Sequence, residues 1–254
     1  MIYVLYLGGT ADITVHQRQI NDTIQEVIPP DGGPLGGKSI DDAFYNLLSE
    51  ICSGNVMEEL KTTELEDYVD MFREFETKKR SIRTNQQNKV VITLPLSLIL
   101  LVKKHHKTFE KAVAESCHKR NVEYRKEKLH ISSETFRDLF KPTIDSLISL
   151  IGKLLDNPKL SDLRTILMVG GFSECELVQD AIRTKTGSSI KLIIPEEAGL
   201  AVLKGAVLFG HVPDFIACII PTELIHLWIL TLMNMIFGEK KSSKGKLCAR
   251  FSSR

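Results

Sequence analysis

Val4-Leu5-Tyr6-Leu7-Gly8-Gly9-Thr10-Ala11-Asp12 is a short apolar strand that runs into a glycine-threonine turn and then an acid. Far along the chain, Thr165-Ile166-Leu167-Met168-Val169-Gly170-Gly171-Phe172-Ser173 repeats the design and leads into a helical pattern. Glycine lets the backbone come close to a bound group, and successive N–H donors in such a turn form a concavity for an anion. Two strand-to-glycine turns in one chain point to a nucleotide cradle. In the second, Ser173 stands as an N-cap, with Glu174 and Glu176 in the first turn of the helix. Those acids suit the helix dipole but repel phosphate, so the second turn fits a base or sugar better.

After the first turn, Ile13-Thr14-Val15-His16 reads as a second strand and the residues near Ile24 to Ile28 as a third, which predicts a meander. Pro29 to Gly37 reads as loop, with Gly36 and Gly37 at its end. From Ser39 onward Ile40, Ala43, Phe44, Leu47, Leu48 and Ile51 recur at helical period. Another helix is predicted from about Leu65 to Ile82. Its Glu76, Lys79 and Arg80 fall at i, i+3 and i+4 and share one face, which on spacing alone is an ion-paired, solvated surface.

Val90 to Leu94 reads as a buried strand ended by Pro95, and the residues from 98 to about 120 as charged helix. The stretch from Val122 to His130 fits no period. A long helix is predicted from Ser132 or Ser133 through Leu155, kinked at Pro142. Ile190 to Ile194 is a further strand, and Pro195-Glu196-Glu197-Ala198 opens a small-residue helix reaching Gly210. A meander first and alternation later predict an α/β domain with a mixed sheet.

The chain has 254 residues, 43% of them apolar, with 33 basic against 32 acidic side chains. That balance leaves no electrostatic footprint for nucleic acid. The 5 cysteines include no Cys-x-x-Cys pair, which argues against a disulfide framework or a zinc site and fits a reduced compartment. His105-His106 and Cys117-His118 read as exposed positions of the charged helix rather than metal ligands. No signal peptide is expected, and the predicted location is cytoplasmic. Phe215 to Phe237 is apolar enough in length to span a bilayer, but Pro221, Glu223, His226 and Asn234 make it a poor membrane helix.

These motifs resemble, in order and spacing, the second lobe of the actin-like ATPase domain of the 70 kDa heat-shock chaperone family. The resemblance rests on Gly8-Gly9-Thr10-x-Asp12, Leu35-Gly36-Gly37, Glu76-x-x-Lys79-Arg80, Val169-Gly170-Gly171, and Pro195-Glu196-Glu197-Ala198 leading to Gly205-Ala206. Ile92-Thr93-Leu94-Pro95, Lys103-Lys104-His105 and Leu139 to Ser146 look like the divergent 12A/12B subgroup of that family. The resemblance covers residues 1 to about 212. It implies an α/β, ribonuclease H-like lobe with an inserted, mainly helical subdomain: residues 1–37 and 131–212 form the large subdomain, 38–130 the small one, and 213–254 a divergent tail.

It also implies ATP or ADP with magnesium as cofactors. Gly8, Gly9 and Thr10 are expected to hold the β- and γ-phosphates through N–H groups and the hydroxyl, with Asp12 near the metal and its water. Glu76 and Lys79 are expected at the ribose and Arg80 on the base, with Gly170 and Gly171 lining the adenosine and Gly36 and Gly37 nearby. Thr10 and Asp12 are the candidate catalytic residues. Two departures weaken hydrolysis: Leu5 stands where the family has an acid, and Glu174 stands where ordinary members have an adenine-stacking arginine. The first lobe of the cleft, with its own phosphate loop and lysine, is expected to be missing, so the chain is a truncated site with weak or no turnover. The alternatives are a non-enzymatic interaction module, with a protein partner on the exposed inter-lobe face, and a lobe of a sugar or acetate kinase-like protein.

Overall fold

The computed structural model describes residues 2–18, 24–105 and 108–211. Strands β1 (Ile2–Leu7), β2 (Ala11–Arg18) and β3 (Ile24–Gly33) follow one another as an antiparallel meander. In β2, Ala11, Ile13, Thr14, Val15 and His16 are all buried. β3 runs on through Pro29 and Pro30 to Gly33, where the sequence predicts loop. The pairing is possible because β3 is an edge strand and its register with β2 shifts on either side of Val15, so the prolines sit where no ladder N–H is required.

A mainly helical stretch follows: α1 (Gly37–Cys52), α2 (Gly54–Thr63), α3 (Leu65–Ser81), β4 (Val90–Thr93), α4 (Leu96–His105) and α5 (Phe109–Glu115). Ile40, Phe44, Leu47, Leu48 and Ile51 form the buried stripe of α1 that the periodicity predicts. The Phe44 ring stacks on Phe75 of α3 with centroids 4.1 Å apart, and Phe136 meets Phe75 at 5.6 Å. These aromatic contacts fix the C-terminal half of α3 against α1.

Strands β5 (Val122–Arg125) and β6 (Lys128–Ile131) form a hairpin that pairs with β4 in an antiparallel three-stranded sheet, ordered β4-β6-β5. Its two-residue loop places Lys126 and Glu127 at φ 50° and 59°, the geometry of a type I′ turn without the usual Asn-Gly. That absence hides the hairpin from sequence. The predicted long helix is two helices, α6 (Ser133–Asp138) and α7 (Lys141–Leu155). Pro142 lies in the first turn of α7, where its missing N–H leaves nothing unsatisfied, so it starts a helix rather than kinking one.

The chain then returns through β7 (Thr165–Val169), α8 (Glu176–Thr186), β8 (Lys191–Ile193) and α9 (Ala201–His211). Ile166, Leu167, Met168 and Val169 are fully buried, as befits an inner strand covered on both faces. β7 pairs parallel to β1 and β8 parallel to β7, giving a mixed five-stranded sheet in the order β3-β2-β1-β7-β8. This is the expected mixed α/β architecture of an actin-like lobe, with its helical region inserted between β3 and β7. Among the described residues no helix is long and apolar enough to cross a membrane. The apolar run Phe215 to Phe237 lies outside them.

Candidate functional site

The parallel pairing of β1 with β7 brings both glycine turns to the same end of the sheet, since Tyr6 lies opposite Val169 and each strand stops at its glycines. Four segments meet there around a cavity of about 280 Å³. Gly8 and Gly9 come from the end of β1; Gly37, Lys38 and Asp41 from the first turns of α1. Glu76, Lys79 and Arg80 come from the end of α3, and Gly171, Phe172 and Cys175 from the turn after β7.

Backbone contacts set the positions of these turns. The Gly37 N–H donates to the Gly8 carbonyl at 2.8 Å, and the Gly8 N–H donates to the Thr10 carbonyl at 2.9 Å. A Cβ on Gly36 would stand 2.3 Å from the Gly8 oxygen and 2.5 Å from the Gly9 carbonyl carbon, so only glycine permits this approach. On the other wall Gly170 has φ 90°, and its N–H donates to Ala198 O at 2.7 Å. That bond ties the turn after β7 to the start of the last helical segment.

Charge is concentrated on the α3 side. The Lys79 side chain is only 6% exposed; its Nζ donates to the Gly37 carbonyl at 3.0 Å and lies 2.7 Å from Asp41 and 2.5 Å from Glu76. Arg80 pairs with the other Glu76 oxygen at 2.7 Å and remains exposed. Burial alone would raise the Glu76 carboxyl, but the hydrogen bonds from Lys79 and Arg80 outweigh it and hold Glu76 below the ordinary carboxylate range. For Asp41 burial is the larger effect and pushes its carboxyl up despite Lys79. Burial likewise raises the Cys175 thiol. The trio therefore departs from a solvated surface at its centre: Lys79 is a buried cation shared between α1 and α3.

Of the residues singled out from sequence, Gly8, Gly9, Gly37, Glu76, Lys79, Arg80 and Gly171 line this one cavity. Gly36 is buried behind the first turn, and Gly170 spends its N–H on Ala198. Thr10 and Asp12 stand outside the lining, where the Thr10 hydroxyl donates to Asp12 Oδ2 at 2.9 Å. Leu5 sits in β1 opposite Ile13 and Met168. Ser173 does not cap α8: Cys175 holds that position, while the Ser173 hydroxyl is buried and donates to the Gly170 carbonyl at 2.5 Å. Glu174 instead accepts from the Gly199 N–H at 3.1 Å. Sequence reasoning missed Lys38, Asp41, Phe172 and Cys175, which also line the cavity.

No protein-family model matches the chain. Over 214 residues, 82% of this chain, the sequence is 37% identical to heat shock 70 kDa protein 12A of Mus musculus and 36% identical to the Homo sapiens protein of that name. Over 216 residues it is 33% identical to heat shock 70 kDa protein 12B of Homo sapiens. The chain spans 31% of the length of these curated relatives. The chain is thus a homologue of heat shock 70 kDa proteins 12A and 12B, related to them through a region built as an actin-like ATPase lobe.

Proposed function

We propose that the cavity is the adenosine and second-phosphate-turn side of an adenine nucleotide site of the 12A/12B type, with little hydrolytic power of its own. The observation that supports it is the convergence of both glycine turns and the Glu76-Lys79-Arg80 helix end on one cavity. The walls fit such a ligand. Among the described residues, and apart from its chain neighbours, Gly9 has no atom within 4 Å of where a Cβ would be, and at Gly171 the nearest is Arg80 Nη2 at 3.8 Å, so bare backbone faces the space on both sides. Residues 1–37 and 131–212 act as the large subdomain and 38–130 as the small one.

In this reading Arg80 packs its guanidinium on the base across from Gly171, and Glu76 accepts from the ribose hydroxyls with its other bonds fixed by Lys79 and Arg80. Lys79 orients Glu76 and ties Gly37 to α3 rather than reaching the ligand as a free cation. The Gly9 and Thr10 amides are the phosphate donors, since the Gly8 amide is already bonded within the turn. Magnesium, where bound, would supply charge neutralisation at the phosphates, and Asp12, which accepts from the Thr10 hydroxyl, is the carboxylate that would help hold it. Leu5 offers no carboxylate to place an attacking water, which argues for binding with weak or no turnover.

The test is a nucleotide titration of the full chain by calorimetry and thermal melting, with and without magnesium. Weak ADP and ATP binding with a melting rise that depends little on magnesium is expected. Tight magnesium-dependent binding with turnover would overturn the assignment of a depleted site. A second reading, a partner-binding module, draws on the apolar face of α9, where Leu203 and Val207 are 63% and 57% exposed. It predicts self-association or capture of a partner with no nucleotide effect on melting.

A further inference from the structure

At the far end of α1 from the nucleotide cavity, three side chains of different chemistry converge. Glu50 lies in the last turn of α1, roughly 13 Å along the helix axis from Asp41 at 1.5 Å per residue. Cys117 and His118, which the sequence pattern reads as positions of a charged helix, instead occupy the turn between α5 and β5. His118 Nε2 is 2.5 Å from Glu50 Oε2, and Cys117 Sγ is 3.6 Å from that same oxygen. One ligand atom from each residue lies within 4.8 Å of the other two.

We propose that Glu50, Cys117 and His118 form a zinc(II) site with three protein ligands and one open position. The donor set is one thiolate, one imidazole and one carboxylate, the mixture that a borderline-soft ion with no geometric preference accepts. Tetrahedral zinc with bonds of about 2.0–2.3 Å spaces its ligands roughly 3.5 Å apart. The thiol-to-carboxylate separation already meets that spacing, and the His118–Glu50 pair opens by about 1 Å to admit the ion.

The scaffold holds the turn in place. Buried Ser116 donates its hydroxyl to the Val113 carbonyl at 2.8 Å and accepts from the His118 N–H at 3.2 Å. The His118 carbonyl accepts from the Asn121 and Val122 amides, both at 2.9 Å, which anchors the turn to β5. Phe109 packs on Tyr124 with centroids 4.7 Å apart and fixes α5 to the hairpin. Both ligand-bearing segments are therefore positioned before metal arrives, and zinc would clip α1 to the α5–β5 turn. The thiol loses its proton on binding, so affinity falls as pH drops.

Cobalt(II) and zinc(II) alone, titrated into the full chain without nucleotide, test this. We expect one cobalt per chain with a thiolate-to-cobalt absorption band. The band should vanish in Cys117→Ser and persist in Cys248→Ser. Zinc affinity should fall at least about 10-fold in Glu50→Gln and in His118→Ala, each checked for native circular dichroism. A band that survives Cys117→Ser, unchanged zinc affinity in both other variants, or no bound metal in the wild-type chain would overturn the site. None of these readouts depends on adenine nucleotide binding.

Discussion

The Gly37 amide donates to the Gly8 carbonyl at 2.8 Å, joining the first turn of α1 to the strand turn that opens the chain. Through Lys79, which also holds the Gly37 carbonyl, this bond links β1, α1 and α3 into one corner of the cavity. The position of the Glu76-Arg80 helix end relative to the glycine turn is thereby set before any ligand arrives.

Gly36→Ala should be destabilising, because its Cβ would fall 2.3 Å from the Gly8 oxygen and backbone must move to make room. A loss of about 2–3 kcal/mol is expected, at the upper end of overpacking effects. Gly9→Ala has open space and should change stability by less than about 0.5 kcal/mol. Urea unfolding of the pair reads the contrast, and equal losses would show that the approach of the two turns is not what requires glycine.

Gly171→Val tests the base side. Its Cβ would stand 3.8 Å from Arg80 Nη2, and the added methyls narrow the gap between this turn and the guanidinium. Melting of the ligand-free chain should stay within a few degrees of wild type, about what 1 kcal/mol produces. The nucleotide-dependent rise should disappear. A preserved rise would move the base away from Gly171.

The share of this corner legible in sequence follows from how local each signal is. The turns at Gly8 and Gly170 and the spacing of Glu76, Lys79 and Arg80 are carried by a few adjacent residues, so they could be read directly. Asp41 could not, because its role depends on Lys79, 38 positions away, folding onto it. Ser173 misled for a related reason. Its hydroxyl had two local uses, capping α8 or bonding back to Gly170, and the tight 3-10 turn from Gly171 to Glu174 selected the second. The Lys126-Glu127 hairpin was hidden because tertiary pairing with β4 outweighed poor turn chemistry.

That hairpin offers a stabilising prediction. Two non-glycine residues at φ 50° and 59° carry left-handed strain. Replacing Lys126-Glu127 by Asn-Gly supplies the residues that a type I′ turn favours and should add about 1 kcal/mol. The Glu127 carbonyl accepts from Leu94 N–H at 2.9 Å, and this bond survives since it uses only backbone. A lower melting temperature in the double variant would show that the side chains, not the backbone, hold the turn.

Lys79→Met probes the buried charge. Removing the shared cation leaves Asp41 and Glu76 facing each other, and with both partly exposed a loss of about 2 kcal/mol at pH 7 is expected, below the range for a fully buried pair. The pH dependence follows from each carboxyl. Glu76, held low in the fold, contributes stability above its ordinary value of 4.5 that is lost as pH falls through its lowered value. Asp41, held high, opposes folding once pH exceeds its ordinary value of 3.8 and ceases to do so below it. Without Lys79 both carboxyls rise, so the variant's deficit should be largest near pH 7 and shrink as pH falls toward about 4, where protonation relieves the repulsion. Unfolding of wild type and variant at the two pH values measures this; a deficit independent of pH would mean that Lys79 acts through its bond to the Gly37 carbonyl and its packing rather than through its charge.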